Sequence, residues 1–142
     1  MPSYHQDFYT WTQEQAALLK AGRFMELDVA NLIEEVEDMG NNKRSALKSR
    51  LTVLMMRLLK WHYQPSYRGR SWLLTITEQR FEIADLLDEN PGLKSEITEL
   101  LKKAFKMARL KAANETGLDL NVFPLICPWD FKTLISEDFY PD

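Results

Sequence analysis

Between Leu32 and Trp61 apolar side chains recur at steps of three and four: Leu32, Ile33, Val36, Met39, Leu47, Leu51, Leu54, Met55, Leu58 and Trp61. That period lays them along one stripe of a helix, and Asp28 is placed to cap its start. The pattern runs to about Tyr63 and stops before Pro65, which disfavours helical geometry in the residue preceding it. Gly40-Asn41-Asn42 falls in the middle and predicts a bend or a break. A shorter helix precedes this one, capped by Thr10 or Thr12 and ending near Gly22. After the turn, Ser71 is expected to cap a third helix with Leu73, Ile76, Ile83, Leu86 and Leu87 inward, ended by "ENPG". Asn90 then caps a fourth, with Pro91 at its first position. This helix carries Leu93, Ile97, Leu100, Leu101, Ala104, Ala108 and Ala112, and Gly117 terminates it. The remaining tail is irregular and aromatic, with one short helix expected after Pro128.

Five glycines and six prolines fall almost wholly between these segments. The chain therefore reads as all-α: a single-domain helical bundle over residues 1–142, with four to five helices, a long second helix and an irregular C-terminal tail. Its length suits one core. The densest apolar run, Val53 to Met56, is closed off by Arg57, so no membrane-spanning segment is expected. The start, "MPSYHQDFYTW", lacks a basic leader and an apolar stretch, which points to a cytoplasmic protein without a secretory signal. Cys127 is the single cysteine, excluding an internal disulfide and a cysteine-cluster zinc site. More plausibly it is a packed small side chain than a reactive thiol. His5 and His62 lie far apart in sequence, which argues against a histidine metal site. With no Gly-rich phosphate loop, Ser–His–Asp set or Cys–His pair in the chain, no catalytic residue and no cofactor is assigned.

Charge adds a segregation that the net value of −3 hides. Residues 41–77 hold eight basic side chains (Lys43, Arg44, Lys48, Arg50, Arg57, Lys60, Arg68 and Arg70) and no acidic one. Trp61, Tyr63, Tyr67 and Trp72 are interleaved with them, a profile suited to phosphates and stacked bases. An antiparallel hairpin of the second and third helices places residue i opposite j where i + j is about 135. Arg57 then faces Glu78, Arg50 faces Asp85, and Lys48 approaches Asp88 and Glu89. Cross-helix pairing, worth roughly 0–1 kcal/mol for each exposed pair, accounts for most of the block. Lys60, Tyr67, Arg68 and Arg70 at the hairpin tip escape that ladder and form the candidate nucleic-acid or anion site. The competing reading stacks the arginines on Trp61, Tyr67 or Trp72, or bonds them to carbonyls closing the second helix.

The opposite pole is "ELDVANLIEEVED", with six carboxylates and no cation. Glu34 with Glu37, or Glu35 with Asp38, share a helix face and form a weak candidate site for a divalent ion such as Mg²⁺. With Glu82, Asp85 and Asp88 the set resembles the metal-binding pairs of all-α nucleotide pyrophosphohydrolases. The hairpin register, however, puts Asp85 beside Arg50, and the helix dipole already favours acids near a helix start. A second cationic cluster, Lys102, Lys103, Lys106, Arg109 and Lys111, is accounted for by the dipole and solubility.

The acidic start and basic end of the second helix match unlike charges when two copies lie antiparallel, as an isologous dimer requires. Tyr4, Phe8, Tyr9, Trp11 and Phe24 offer further surface to bury. The expected function is a non-enzymatic interaction module that self-associates, or engages a helical protein partner, with no membrane partner. Nucleic-acid binding through the tip is the alternative, and a carboxylate-metal nucleotide hydrolase the remaining one.

Several segments in fixed order, "DFYTWTQEQAALLKAGRFMELDVANLIEEVEDMG", "LLKWHYQP", "RSWLLTITEQRFEI", "LLDENPGL", "ETGL" and "CPWDF", resemble the family catalogued as domain of unknown function 29. The likeness runs from about Tyr4 to about Pro141. It implies an all-helical fold and a bacterial, mainly cyanobacterial, cytosolic setting. It brings no established activity and no catalytic residue; binding of nucleic acid is a proposal made for the family. Trp61, Pro65, Ser71 and Trp72 match its motifs and suit a structural corner as well as a site.

Overall fold

The computed structural model describes residues 4–142. It is all-α, with helices α1 (Phe8–Ala21), α2 (Val29–Tyr63), α3 (Arg70–Glu89), α4 (Ile97–Thr116) and α5 (Phe131–Ile135). Short 3-10 turns precede each of α2, α3 and α4, and another follows α4 at Leu120–Val122. The described residues contain no strand. The chain divides into two compact units, Met1–Asn41 and Asn42–Asp142.

In the N-terminal unit Asp7, not Thr10 or Thr12, caps α1. Its carboxylate accepts from the Thr10 backbone N–H at 3.0 Å and from the Thr10 hydroxyl at 2.7 Å. A charged acceptor three residues ahead of Thr10 outcompetes a hydroxyl, and Thr12 instead donates to the Tyr9 carbonyl. The helix ends on Gly22 at φ 71°, with the Arg23 N–H bonding the Leu18 carbonyl at 2.9 Å; this left-handed cap suits glycine. Trp11 is the anchor of α1. It is buried between Tyr4 and Phe8, with ring centroids 4.8 and 5.8 Å away, and its indole donates to Asp28 at 2.9 Å. Gln15, also buried, accepts from the Asp28 backbone N–H at 2.8 Å. Asp28 caps α2 as expected. Its carbonyl accepts from Leu32, and its carboxylate is held low in pKa, chiefly by Asn31 and then by Trp11.

α2 runs without a break through Gly40-Asn41-Asn42. A mid-helix glycine costs about 1 kcal/mol relative to alanine, too little to interrupt a 35-residue helix whose second half is fixed by packing. From Leu51 to Lys60 eight of its side chains are buried. That stretch is covered on most of its sides, which makes α2 the central element of the C-terminal unit.

α4 packs there with Ala104, Ala108 and Ala112, each fully buried and four residues apart. Their small side chains admit close approach, and the Thr52 hydroxyl, bonded to the Lys48 carbonyl at 2.8 Å, also reaches the Ala104 carbonyl at 3.5 Å. α3 contributes Ile76, Ile83 and Leu87, and the tail closes the core with Phe123 and Leu134.

Two expected caps shift. α3 starts at Arg70 behind Gly69, so Ser71 lies inside the first turn and caps nothing. Asn90 turns its amide back to the Leu86 carbonyl at 3.0 Å and closes α3. Pro91–Glu96 then forms a 3-10 turn, and α4 begins only at Ile97. Gly117, at φ 74°, ends α4 as the sequence predicts.

The cross-helix ladder is also corrected. Among the described residues the basic block pairs with Glu96, from Arg44, and with Glu115, from Lys60, and not with the carboxylates of α3. Buried all round in its second half, α2 meets several elements rather than one hairpin partner.

Candidate functional site

Three places bear on function: the turn between α2 and α3, the acidic start of α2, and the apolar surface beside it. At the turn, Pro65–Tyr67 forms a 3-10 turn after α2 closes on a bond from the Gln64 N–H to the Lys60 carbonyl. Arg68 folds back over this end. Its Nε donates to the Trp61 carbonyl at 2.7 Å, its guanidinium lies 5.2 Å from the Trp61 ring, and Nη2 donates to the Asp142 carbonyl at 2.9 Å. Lys60 is buried, with Nζ 3.3 Å from a Glu115 carboxylate oxygen and 4.9 Å from the Trp72 ring centre. Tyr67 and Arg70 face outward. The four residues singled out in the sequence are therefore divided. Lys60 and Arg68 hold the protein's own carboxylate and carbonyls, and Tyr67 with Arg70 stays open to solvent.

Arg80 is a structural residue that sequence reasoning passed over. It is buried, donating to the carbonyls of Leu134 (2.7 Å), Glu137 (3.3 Å) and Phe139 (2.6 Å), with its guanidinium 5.2 Å from the Tyr140 ring. Burial pushes its pKa below the usual arginine value. The signal was present: Ile76, Arg80, Ile83 and Leu87 share one helical stripe, and a cation on a core stripe calls for internal partners. Arg68 and Arg80 together clasp the tail from Leu134 to Asp142.

At the acidic pole Glu34, Glu37 and Asp38 are exposed, while Glu35 is half-buried and accepts a short hydrogen bond from the Tyr4 phenol. That bond, with burial and the neighbouring carboxylates, lifts the Tyr4 pKa to about 12. Among the described residues no group of three or more His, Cys, Asp or Glu is placed to hold a metal ion.

The N-terminal unit buries Trp11 and Gln15 among its described residues. Val29, Ile33, Val36 and Met39 remain 53–66% exposed. Val29, Ile33 and Val36, with Leu27 and Leu32, border a shallow apolar hollow edged by Glu37. On a 100° wheel Val29, Ile33, Val36 and Gly40 fall on the stripe that Leu47, Leu51, Leu54 and Leu58 continue. Those four leucines are fully buried. Phe24 and Met25, the latter 98% exposed, add to the uncovered apolar surface of the unit. A segment of about 40 residues is too short to bury such a surface in a core of its own.

In the C-terminal unit a second apolar hollow of about 470 Å³ lies between α4 and the loop carrying Leu125 and Ile126. Cys127 on its wall donates to the Trp129 carbonyl at 3.2 Å, and burial raises its thiol pKa, disfavouring the nucleophilic thiolate.

No helix among the described residues is long and apolar enough to cross a membrane. No curated protein and no solved structure matches the chain. The all-helical architecture and the ordered motifs along nearly the whole length agree with a family-model match over residues 3–140, and the chain belongs to the family described as Domain of unknown function DUF29.

Proposed function

We propose that the protein is a non-enzymatic helical interaction module that self-associates in the cytoplasm through the first half of α2. One observation carries this reading: the apolar stripe that is fully buried from Leu47 onward lies open at Val29, Ile33 and Val36. A contiguous exposed apolar surface on a helix marks an interaction site more often than a solvated one. Nucleic-acid binding through the turn has less support, because Lys60 and Arg68 are committed internally and only Tyr67 and Arg70 of that set face solvent.

Size-exclusion chromatography with light scattering tests the proposal on the whole chain. The wild type is expected to run as a dimer, and Ile33→Glu or Val36→Glu as a folded monomer. Leu125→Glu, at an exposed apolar position outside α2 in the chain, serves as control and keeps the dimer. A wild type of monomer mass at tens of micromolar would overturn the proposal.

A further inference from the structure

The geometry points to a binding site for a small amphiphile, one apolar chain with a carboxylate head, in the hollow of about 470 Å³ between α4 and the loop carrying Leu125 and Ile126. The site lies wholly within the C-terminal unit and does not require self-association through α2.

The apolar chain finds a prepared wall on each side. Ile97, Leu101 and Phe105 follow one another at steps of four along α4, a stripe about 12 Å long at 1.5 Å per residue. Opposite them Leu125 and Ile126 are 81% and 82% exposed. The loop is pinned on both sides of this pair. The Phe123 carbonyl accepts from Arg109 Nε at 3.2 Å, and the Cys127 thiol donates to the Trp129 carbonyl at 3.2 Å. Pro124 and Pro128 restrict its backbone further. Two large aliphatic side chains are thus held at the hollow instead of turning into the core, and a ligand gains their contacts without first ordering the loop. The volume falls within the roughly 300–1,000 Å³ of small-molecule sites.

The head finds its charge on α4. Between Ile97 and Lys111 this helix carries Lys102, Lys103, Lys106, Arg109 and Lys111 against one acid, Glu99. The helix dipole, invoked for this cluster from the sequence, does not account for it: α4 runs on to Thr116, and its last turn holds no basic residue. Lys102 lines the hollow together with Thr98, one turn before it. The Thr98 hydroxyl makes no hydrogen bond among the described residues, whereas Thr52, Thr75, Thr77 and Thr116 each donate to the carbonyl four residues back. Lys102 meets Glu99 at 3.9 Å with both side chains largely in solvent, a contact that contributes little. A free hydroxyl and a loosely held ammonium four residues apart on one helix edge fit a carboxylate. The acid in the lining, Asp130, is already engaged. It caps α5 by accepting from the Thr133 N–H at 2.8 Å, and Lys132 offsets its charge.

Isothermal titration calorimetry of the whole chain with sodium dodecanoate, kept below micelle-forming concentration, tests the site. One molecule per chain is expected to bind, and Lys102→Met to weaken it roughly tenfold. Leu125→Glu, at an exposed position that leaves the fold intact, is expected to abolish binding. Dodecyltrimethylammonium, with the opposite head, is expected to bind at least tenfold more weakly than dodecanoate. No saturable binding, or binding that both substitutions leave unchanged, would overturn the proposal. Equal binding of the cationic amphiphile would overturn it as well. So would capture by phosphatidylglycerol vesicles without binding of dodecanoate monomers, which is the behaviour of a surface that docks on a bilayer.

Discussion

Replacing Arg80 by methionine keeps the aliphatic stem and removes the charged donors that hold the tail. The guanidinium makes close bonds to the carbonyls of Leu134 and Phe139 and a weaker one to Glu137. A hydrogen bond to a charged group contributes about 1.5–3 kcal/mol net, which sets an upper range near 6 kcal/mol for the two close bonds. Two effects reduce it. Burying the cation carries a desolvation cost, expressed in its lowered pKa. The carbonyls near Glu137 and Phe139 also regain water once the tail lifts. The expected loss is about 2–4 kcal/mol, a large part of the roughly 5–15 kcal/mol that holds a domain folded. Urea denaturation reads the loss, and amide hydrogen exchange locates it. The N–H groups of Leu134, Ser136 and Phe139, bonded within the tail, should exchange faster through local opening, while those of α2 between Leu51 and Leu59 follow only the fall in global stability. Unchanged stability and unchanged exchange at those three amides would refute the clasp.

Lys60 and Glu115 predict an asymmetry: Lys60 keeps 9% of its side chain exposed and Glu115 keeps 40%. Glu115→Ala strands a buried ammonium and should cost about 2–3 kcal/mol, whereas Lys60→Met leaves a carboxylate that water reaches and should cost under about 1 kcal/mol; equal losses in urea melts would contradict this. Asp7, Asp28 and Asp130 have folded pKa values below those of the unfolded chain. Their contribution is present above the unfolded carboxylate range and lost as pH falls through the folded values, so Asp28→Asn should flatten the acid limb of a stability–pH curve. Tyr4 carries the opposite sign. Its pKa is raised from 10.0 to about 12, so its contribution is complete below pH 10 and disappears as pH climbs towards 12. Tyr4→Phe should remove that alkaline loss, read alongside the phenolate absorbance.

The helices were legible because their signals are local. The period of three and four, Pro65, Gly22 and Gly117 delimit elements through backbone sterics that the neighbouring residues determine. Caps were less legible where several polar side chains compete within one turn: Asp7 prevailed over Thr10, and Asn90 served the preceding helix. The charge ladder failed for a tertiary reason. A register argument treats two helices as an isolated pair, yet α2 meets several elements, so Arg44 found Glu96, 52 residues away and beyond α3. At the turn the competing reading holds for Arg68, which bonds the Trp61 carbonyl and lies over the Trp61 ring; its further bonds to the Pro141 and Asp142 carbonyls carry no local signal. Gly40 shows the converse case. Its sequence context predicted a bend or a break, and the helix runs on unbroken, with no packing contact inside its own chain that calls for a glycine.

The claim that the first half of α2 is an association surface is tested most directly by sedimentation velocity on the wild-type chain over a dilution series. A dimer at tens of micromolar that dissociates on dilution, and that Ile33→Glu abolishes without loss of helical signal, is the expected result. A single species of monomer mass throughout, unaffected by the substitution, would contradict the account.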